Sequence, residues 1–198
     1  MADLAEAGAI ILAGGKSTRM GQDKRFLPIH NRTMIEHIYQ QLRPRFKQIL
    51  ISSNDKDKFD FIDTRVIEDN LPNCGPLMGI ASALEVSLYD LNAVVACDIP
   101  NIDIDFLLNM LKQCGEYDAV VPIKQNFYEP LFAVYRKTML QNMKKLLSSG
   151  VYKIIEVFKM NKIKFVDFDN SDKYCNLNTW QEYQNYIEKI RNKNEITS

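Results

Sequence analysis

Histidine is scarce in this chain: His30 and His37 are the only two in 198 residues. A Ser-His-Asp hydrolase needs an imidazole brought to its nucleophile. Both histidines fall in or beside one short stretch, so that class is disfavoured. The four cysteines, Cys74, Cys97, Cys114 and Cys175, form no C-x-x-C pair. With so few imidazoles to complete a ligand set, a structural zinc site is not expected, and free thiols are the plain reading. Net charge is missing too, because 25 Lys+Arg balance 25 Asp+Glu. A general nucleic-acid or membrane-surface binder draws affinity from excess positive charge. No stretch approaches the ~20 apolar residues of a membrane span. The N-terminal "MADLAEAG" lacks the basic start of a signal peptide. These absences lead to the expectation of a cytoplasmic protein with no nucleic-acid and no membrane partner.

What is present reads as an α/β protein. Apolar, β-prone runs at Ala9–Leu12, Gln48–Ser52, Ala93–Ala96 and Asp118–Pro122 alternate with helical patterns at Thr33–Leu42, Leu77–Leu88 and Asp103–Cys114. The strands are continuous apolar runs, as in parallel strands covered on both faces. Such alternation predicts right-handed crossovers in a three-layer, doubly wound, mostly parallel sheet. Thr33 with Glu36 reads as a capping box. Further along, Phe127–Tyr135 contains a proline and reads as an edge strand or hairpin. Met139–Leu147 and Thr179–Ile190 read as helices, Lys162–Phe168 as a strand, and the tail from Arg191 as frayed. The length suits a single domain spanning residues 1–198.

In an open α/β sheet the ligand crevice lies beyond the carboxyl ends of the strands. Four polar segments follow strands here. After Ile10, Ile11 and Leu12 come Gly14 and Gly15, then Lys16, Arg19, Lys24 and Arg25 with Ser17 and Thr18 among them. Glycines let backbone N–H groups approach a ligand closely, and such N–H groups make anion sites. A phosphate is the ligand implied. Lys24 and Arg19 are the candidates for phosphate contact, against a solvated basic loop, a reading at least as good for Lys16 and Arg25. The loop matches neither G-x-x-x-x-G-K-[ST] nor G-x-G-x-x-G. Asp98, in "CDIP" after "AVVA", is a carboxylate at the ligand edge. It suits Mg²⁺, which takes one or two protein oxygens beside phosphates and water; the alternative is a helix cap. "SSND" (Ser52–Asp55) and "IEDNLPNCGPLMG" (Ile67–Gly79) are the other two segments.

"LAGGKSTRMGQDK" (Leu12–Lys24) closely resembles the L-A-G-G-x-S-x-R-M-G-x-D-K signature of molybdenum cofactor guanylyltransferases, the MobA-like nucleotidyltransferases. "IED" ending at Asp69, "GPLMGI" (Gly75–Ile80), "CDIP" and "NLNT" (Asn176–Thr179) follow in that family's order. The resemblance implies a nucleotide-diphospho-sugar transferase-like, Rossmann-like fold. Its nucleotide-binding part would cover about residues 8–122 and its acceptor part about 123–190. It places the nucleotide on Leu12, Ala13, Gly14, Gly15, Lys24, Asp69 and Asp98, with Ser52 or Asn54 as a further contact. Asp98 would hold Mg²⁺, and Lys24, Arg19 and Asp98 would carry the chemistry. Asn176 and Asn178, with "YEPLF" (Tyr128–Phe132), would face the pterin; the alternative for the asparagines is turn chemistry before a helix capped by Thr179.

The activity implied is transfer of GMP from GTP to the phosphate of molybdopterin, the organic part of molybdenum cofactor, with release of pyrophosphate. Molybdoenzyme apoproteins or cofactor-delivery proteins would be further partners. Two alternatives stand beside it: a related nucleotidyltransferase using CTP or a sugar-phosphate acceptor, and a non-catalytic nucleotide or pterin carrier.

Overall fold

The computed structural model describes residues 4–14, 22–72, 74–168 and 175–196. In chain order the elements are β1 (Ala5–Leu12), β2 (Pro28–Ile29), β3 (Arg32–Thr33), α1 (Met34–Leu42), β4 (Phe46–Ser52), β5 (Arg65–Ile67) and α2 (Pro76–Val86). Then come β6 (Leu91–Ala96), α3 (Ile104–Gln113), β7 (Ala119–Lys124), β8 (Phe127–Tyr128), β9 (Phe132–Arg136) and α4 (Leu140–Ser148). α5 (Ile154–Phe158), β10 (Ile163–Asp167) and α6 (Trp180–Ile196) complete the set.

The main sheet runs β10-β7-β9-β6-β1-β4-β5, with β8 pairing β7 off that path. β1 lies parallel between β4 and β6, in register from Leu12 to Ser52 on one side and to Ala96 on the other. Three strand ends therefore finish at one level, which is what assembles a crevice. β9 alone in the central row is antiparallel, to both β6 and β7.

The alternating side chains of β1 explain the three layers. Ala9 and Ile11 join a core with Met34, Ile35, Ile38 and Leu42 of α1 and Leu107 and Met110 of α3. Ile10 and Leu12 join the opposite core with Leu77, Ile80 and Leu84 of α2 and Met143 and Leu147 of α4. Fully burying one such side chain is worth about 1.5–3 kcal/mol, so covering both faces of the sheet is the main driving force for this architecture.

Local signals hold where the chemistry is strongest. Glu36 N donates to Thr33 Oγ1, and the Thr33 backbone N–H donates back to Glu36 Oε2 at 2.8 Å, completing the capping box. Asp103 caps α3 by accepting from Phe106 N at 3.0 Å.

Two expectations are corrected, and one element is new. β9 is a central strand, not an edge: Pro130 lies in the turn before it, where a missing N–H removes no ladder bond. The hairpin part holds, because β8 pairs antiparallel with β7 through Gln125 and Asn126, both at positive φ (48° and 68°). The tail does not fray at Arg191; α6 continues to Ile196, in a stretch free of glycine and proline. The short α5 has too few residues for a legible period and was not expected.

Candidate active site

Beyond the carboxyl ends of β1, β4 and β6 lies a cleft of about 530 Å³. Leu12, Gly14, Lys24, Asp69 and Asp98 line it, together with Ser52 and Asn54. Its entrance from β1 is built by continuing the ladder: Ala13 N donates to Ser52 O at 2.9 Å, and Cys97 N to Leu12 O at 3.0 Å. A Cβ placed on Gly14 would meet nothing within 4 Å, so the backbone there is open to a ligand's approach. Gly15 and Arg19 lie outside the described residues.

Lys24 Nζ donates to Asp98 Oδ2 at 2.7 Å, with side chains 21% and 18% exposed. Asp98 thus stands at the end of β6 where strand logic puts it. The helix-cap role goes to Asp103, which leaves Asp98 to face the cleft. Among the described residues no three His, Cys, Asp or Glu side chains cluster to hold a metal. A lone hard carboxylate in an open cleft fits Mg²⁺, whose other positions go to phosphate oxygens and water. Beneath it, burial pushes the Cys97 thiol up to about 12, so this cysteine stays a neutral packing residue.

Arg25 is not a solvated side chain. It is 4% exposed, and its guanidinium organises the cleft's wall. Nε and Nη2 bind the Asp23 carboxylate at 2.7 and 2.5 Å. Nη1 donates to Ala13 O at 2.9 Å and Ser53 Oγ at 3.1 Å, and Nη2 to Asp55 Oδ2 at 2.5 Å. The Phe26 and Phe59 rings lie 5.4 and 5.5 Å from its carbon. One cation therefore ties the start of the first loop to the turn after β4. The flanking Asp23 and Asp55 were the only sequence hint of this role, and one of them is remote in sequence.

Asp69 follows β5 and is half-buried. Burial raises its carboxyl above the usual range, and the bond from Asn54 opposes that rise. Gly79 of α2 packs beside it: a Cβ there would stand 2.6 Å from Ser52 Oγ and 3.4 Å from Asp69 Oδ1. A mid-helix glycine costs about 1 kcal/mol relative to alanine. Here that cost leaves room for two polar groups of the cleft. Gly75, at φ 71°, starts α2 with Pro76 behind it, and both line the cleft, as does Leu131 from the turn before β9.

The asparagines of "NLNT" are divided. Leu177 N donates to Asp98 O at 2.8 Å, which ties this segment to the end of β6. Asn176, whose Oδ1 is buried without a partner among the described residues, lines a separate cavity of about 470 Å³ with His30, His37 and Tyr186. Asn178 is exposed; its N–H and that of Thr179 donate to Glu182 Oε2, both at 2.8 Å. Glu182 N returns a bond to Thr179 Oγ1 at 3.2 Å, so Thr179 caps α6. The cap expected of Thr179 is present.

A mostly parallel sheet whose strand ends bring Gly14, a lysine–aspartate pair and a second carboxylate to one cleft suits a nucleotidyltransferase. The chain belongs to the MobA-like NTP transferase domain family, whose model matches residues 9–163. It is 33% identical over 184 residues to a probable molybdenum cofactor guanylyltransferase of Carboxydothermus hydrogenoformans, covering 89% of this chain and 93% of that one. A probable molybdenum cofactor guanylyltransferase of Clostridium perfringens is 35% identical over 192 residues, covering 91% and 96%. Among solved structures, molybdopterin-guanine dinucleotide biosynthesis protein A from Archaeoglobus fulgidus superposes with a TM-score of 0.81 at 21% identity, covering 93% of this chain and 99% of that one. That last likeness establishes the fold, α/β with a mostly parallel sheet.

Proposed function

We propose that the cleft binds GTP and transfers its GMP moiety to the terminal phosphate of molybdopterin, releasing pyrophosphate. The observation that carries this is the Lys24–Asp98 pair at the mouth of β1 and β6, next to the open backbone of Gly14. The acceptor phosphate is itself the nucleophile: its oxygen bonds to the α-phosphorus as the bond to the pyrophosphate oxygen breaks. No protein nucleophile or base is needed, and the chain's contribution is positioning and charge neutralisation.

Lys24 neutralises charge on the phosphates, joined by the backbone N–H groups of Gly14 and Gly15 and by Arg19. Asp98 would hold Mg²⁺, which when bound offsets negative charge on the phosphate oxygens. Asp69 accepts from the guanine edge, whose N1–H and N2 amine form a donor pair that cytosine, adenine and uracil lack. Arg25 keeps the wall rigid by holding Ala13, Ser53 and Asp55 in place. Residues from about 123 to 190, with Asn176 and Asn178, form the acceptor side. The product then passes to molybdoenzyme apoproteins or delivery proteins.

The test is pyrophosphate release from each nucleoside triphosphate with Mg²⁺ and molybdopterin. GTP-dependent release that stops when the pterin is omitted is the expected result. Turnover with CTP in place of GTP makes the chain a cytidylyltransferase, and nucleotide binding without release makes it a carrier.

A further inference from the structure

Asn54 and Asp69 are joined twice. Asn54 Nδ2 donates to Asp69 Oδ2 at 2.9 Å, and Asn54 Oδ1 accepts from Asp69 N at 2.8 Å. The bond from the Asp69 backbone N–H fixes where the Asn54 amide stands, and the other draws Oδ2 onto that amide. Asn54 stands in turn on a segment clamped on both sides. Arg25 holds Ser53 before it and Asp55 after it, and Ser53 N donates to Ile67 O at 2.9 Å. The Asp69 carboxylate is therefore divided: Oδ2 goes to Asn54, and Oδ1 lies beside the Ser52 hydroxyl above the bare Cα of Gly79.

We propose that Asn54 is a positioning residue: it turns the Asp69 carboxylate so that Oδ1 meets the nucleotide base, with both of its own amide groups committed to Asp69. This rests on Asp69 being the acceptor for guanine. Asn54 is exposed, so its orientation comes from these two bonds and the Arg25 clamp rather than from packing. An exposed amide contributes little to stability through packing, which makes a positioning role separable from a structural one. The charged groups on the surrounding elements are Glu68 beside it, Asp55 and Arg25 at the β4 turn, and Glu85 on α2, which takes Asn70 Nδ2 at 3.2 Å.

The experiment measures Kd for GTP and for ITP, which lacks only the N2 amine, with wild type, Asn54→Ala, Asn54→Asp and Asp69→Asn from pH 5 to 8. Taking the ratio of the two constants cancels the phosphates and their own titration. Asn54→Ala should lose about tenfold of the preference for GTP, with ITP nearly unchanged. Asn54→Asp sets two carboxylates against each other, and the preference should vanish at pH 8. As pH falls the pair takes up one shared proton. That proton restores a donor toward Oδ2, and the preference should return. Asn54 variants that melt earlier yet keep the wild-type ratio at every pH overturn the proposal. If Asp69→Asn also keeps that ratio, the base-reading role of Asp69 falls with it; if Asp69→Asn alone loses it, only the positioning role fails.

Discussion

Lys24 and Asp98, 74 residues apart in sequence, meet at 2.7 Å beyond the carboxyl end of β6. Both side chains keep some exposure to the cleft, at 21% and 18%. Asp98→Asn keeps the shape and removes the charge that would hold the metal. Turnover should fall by about 10²-fold or more, the scale of losing a transition-state contact, while the melting temperature stays near wild type. Near-normal rates in a pyrophosphate-release assay would remove Asp98 from the chemistry.

Lys24→Ala tests the other half of the pair. Because one cation would touch both bound and departing phosphates, KM for GTP should rise and kcat should fall together. Steady-state kinetics that match wild type, with only a changed melting temperature, would return Lys24 to a solvated loop.

Asp69→Asn should weaken GTP by about 1–3 kcal/mol, since an acceptor for the guanine donors becomes a donor, and should change ATP binding much less. The same substitution has a stability signature of opposite sign. Burial raises the folded carboxyl's pKa, so Asp69's favourable contribution exists below the unfolded value near about 3.9 and is lost as pH rises through the folded one. The variant should therefore gain stability over wild type at neutral pH and nothing in acid. Calorimetry at pH 7 and pH 3 reads the difference; equal loss of GTP and ATP would put Asp69 on the phosphates or the loop.

Arg25→Ala removes a buried cation, but its partners Asp23 and Asp55 are 31% and 45% exposed, so the loss should fall below the about 3–5 kcal/mol of a fully buried broken pair. Burial works against the Asp23 charge, but the Arg25 bonds outweigh it and hold that carboxyl below its usual range; the bond to Arg25 does the same for Asp55. Their contribution is present above the unfolded pKa and is lost as pH falls through the lowered folded values. The gap between wild type and variant in urea melts should hold from pH 7 to about 4 and then narrow. A gap independent of pH would mean packing against Phe26 and Phe59 is the whole effect.

The sheet and the cleft's strand ends were legible because continuous apolar runs followed by polar residues are a local signal. Asp98 and the glycine turn follow directly from it. Arg25 was not legible: a guanidinium beside Lys24 looks like one more solvated cation until the fold brings Asp55 and Ser53 from the second strand. Asn54 was seen only as an alternative to Ser52 for a nucleotide contact; its pairing with Asp69 depends on β4 and β5 lying side by side. Thr179 as a cap could be read from the T-x-x-E spacing to Glu182, yet the side on which Asn176 falls depends on how α6 packs.

β9 carries a consequence for how the chain is made. β6 and β7 follow one another and run the same way, but β9 is laid between them, with Phe132, Ala133, Val134 and Tyr135 fully buried. During synthesis β1, β4, β5 and β6 can pair once Ala96 has emerged. The far edge of β6 then stays bare until Arg136 leaves the ribosome, an interval of a few seconds at ~5–20 residues per second. For that interval a nearly finished nucleotide cleft coexists with an unpaired apolar strand edge, the kind of edge other chains adhere to. A nascent chain arrested between those two points should engage chaperones more strongly than one arrested just after β9.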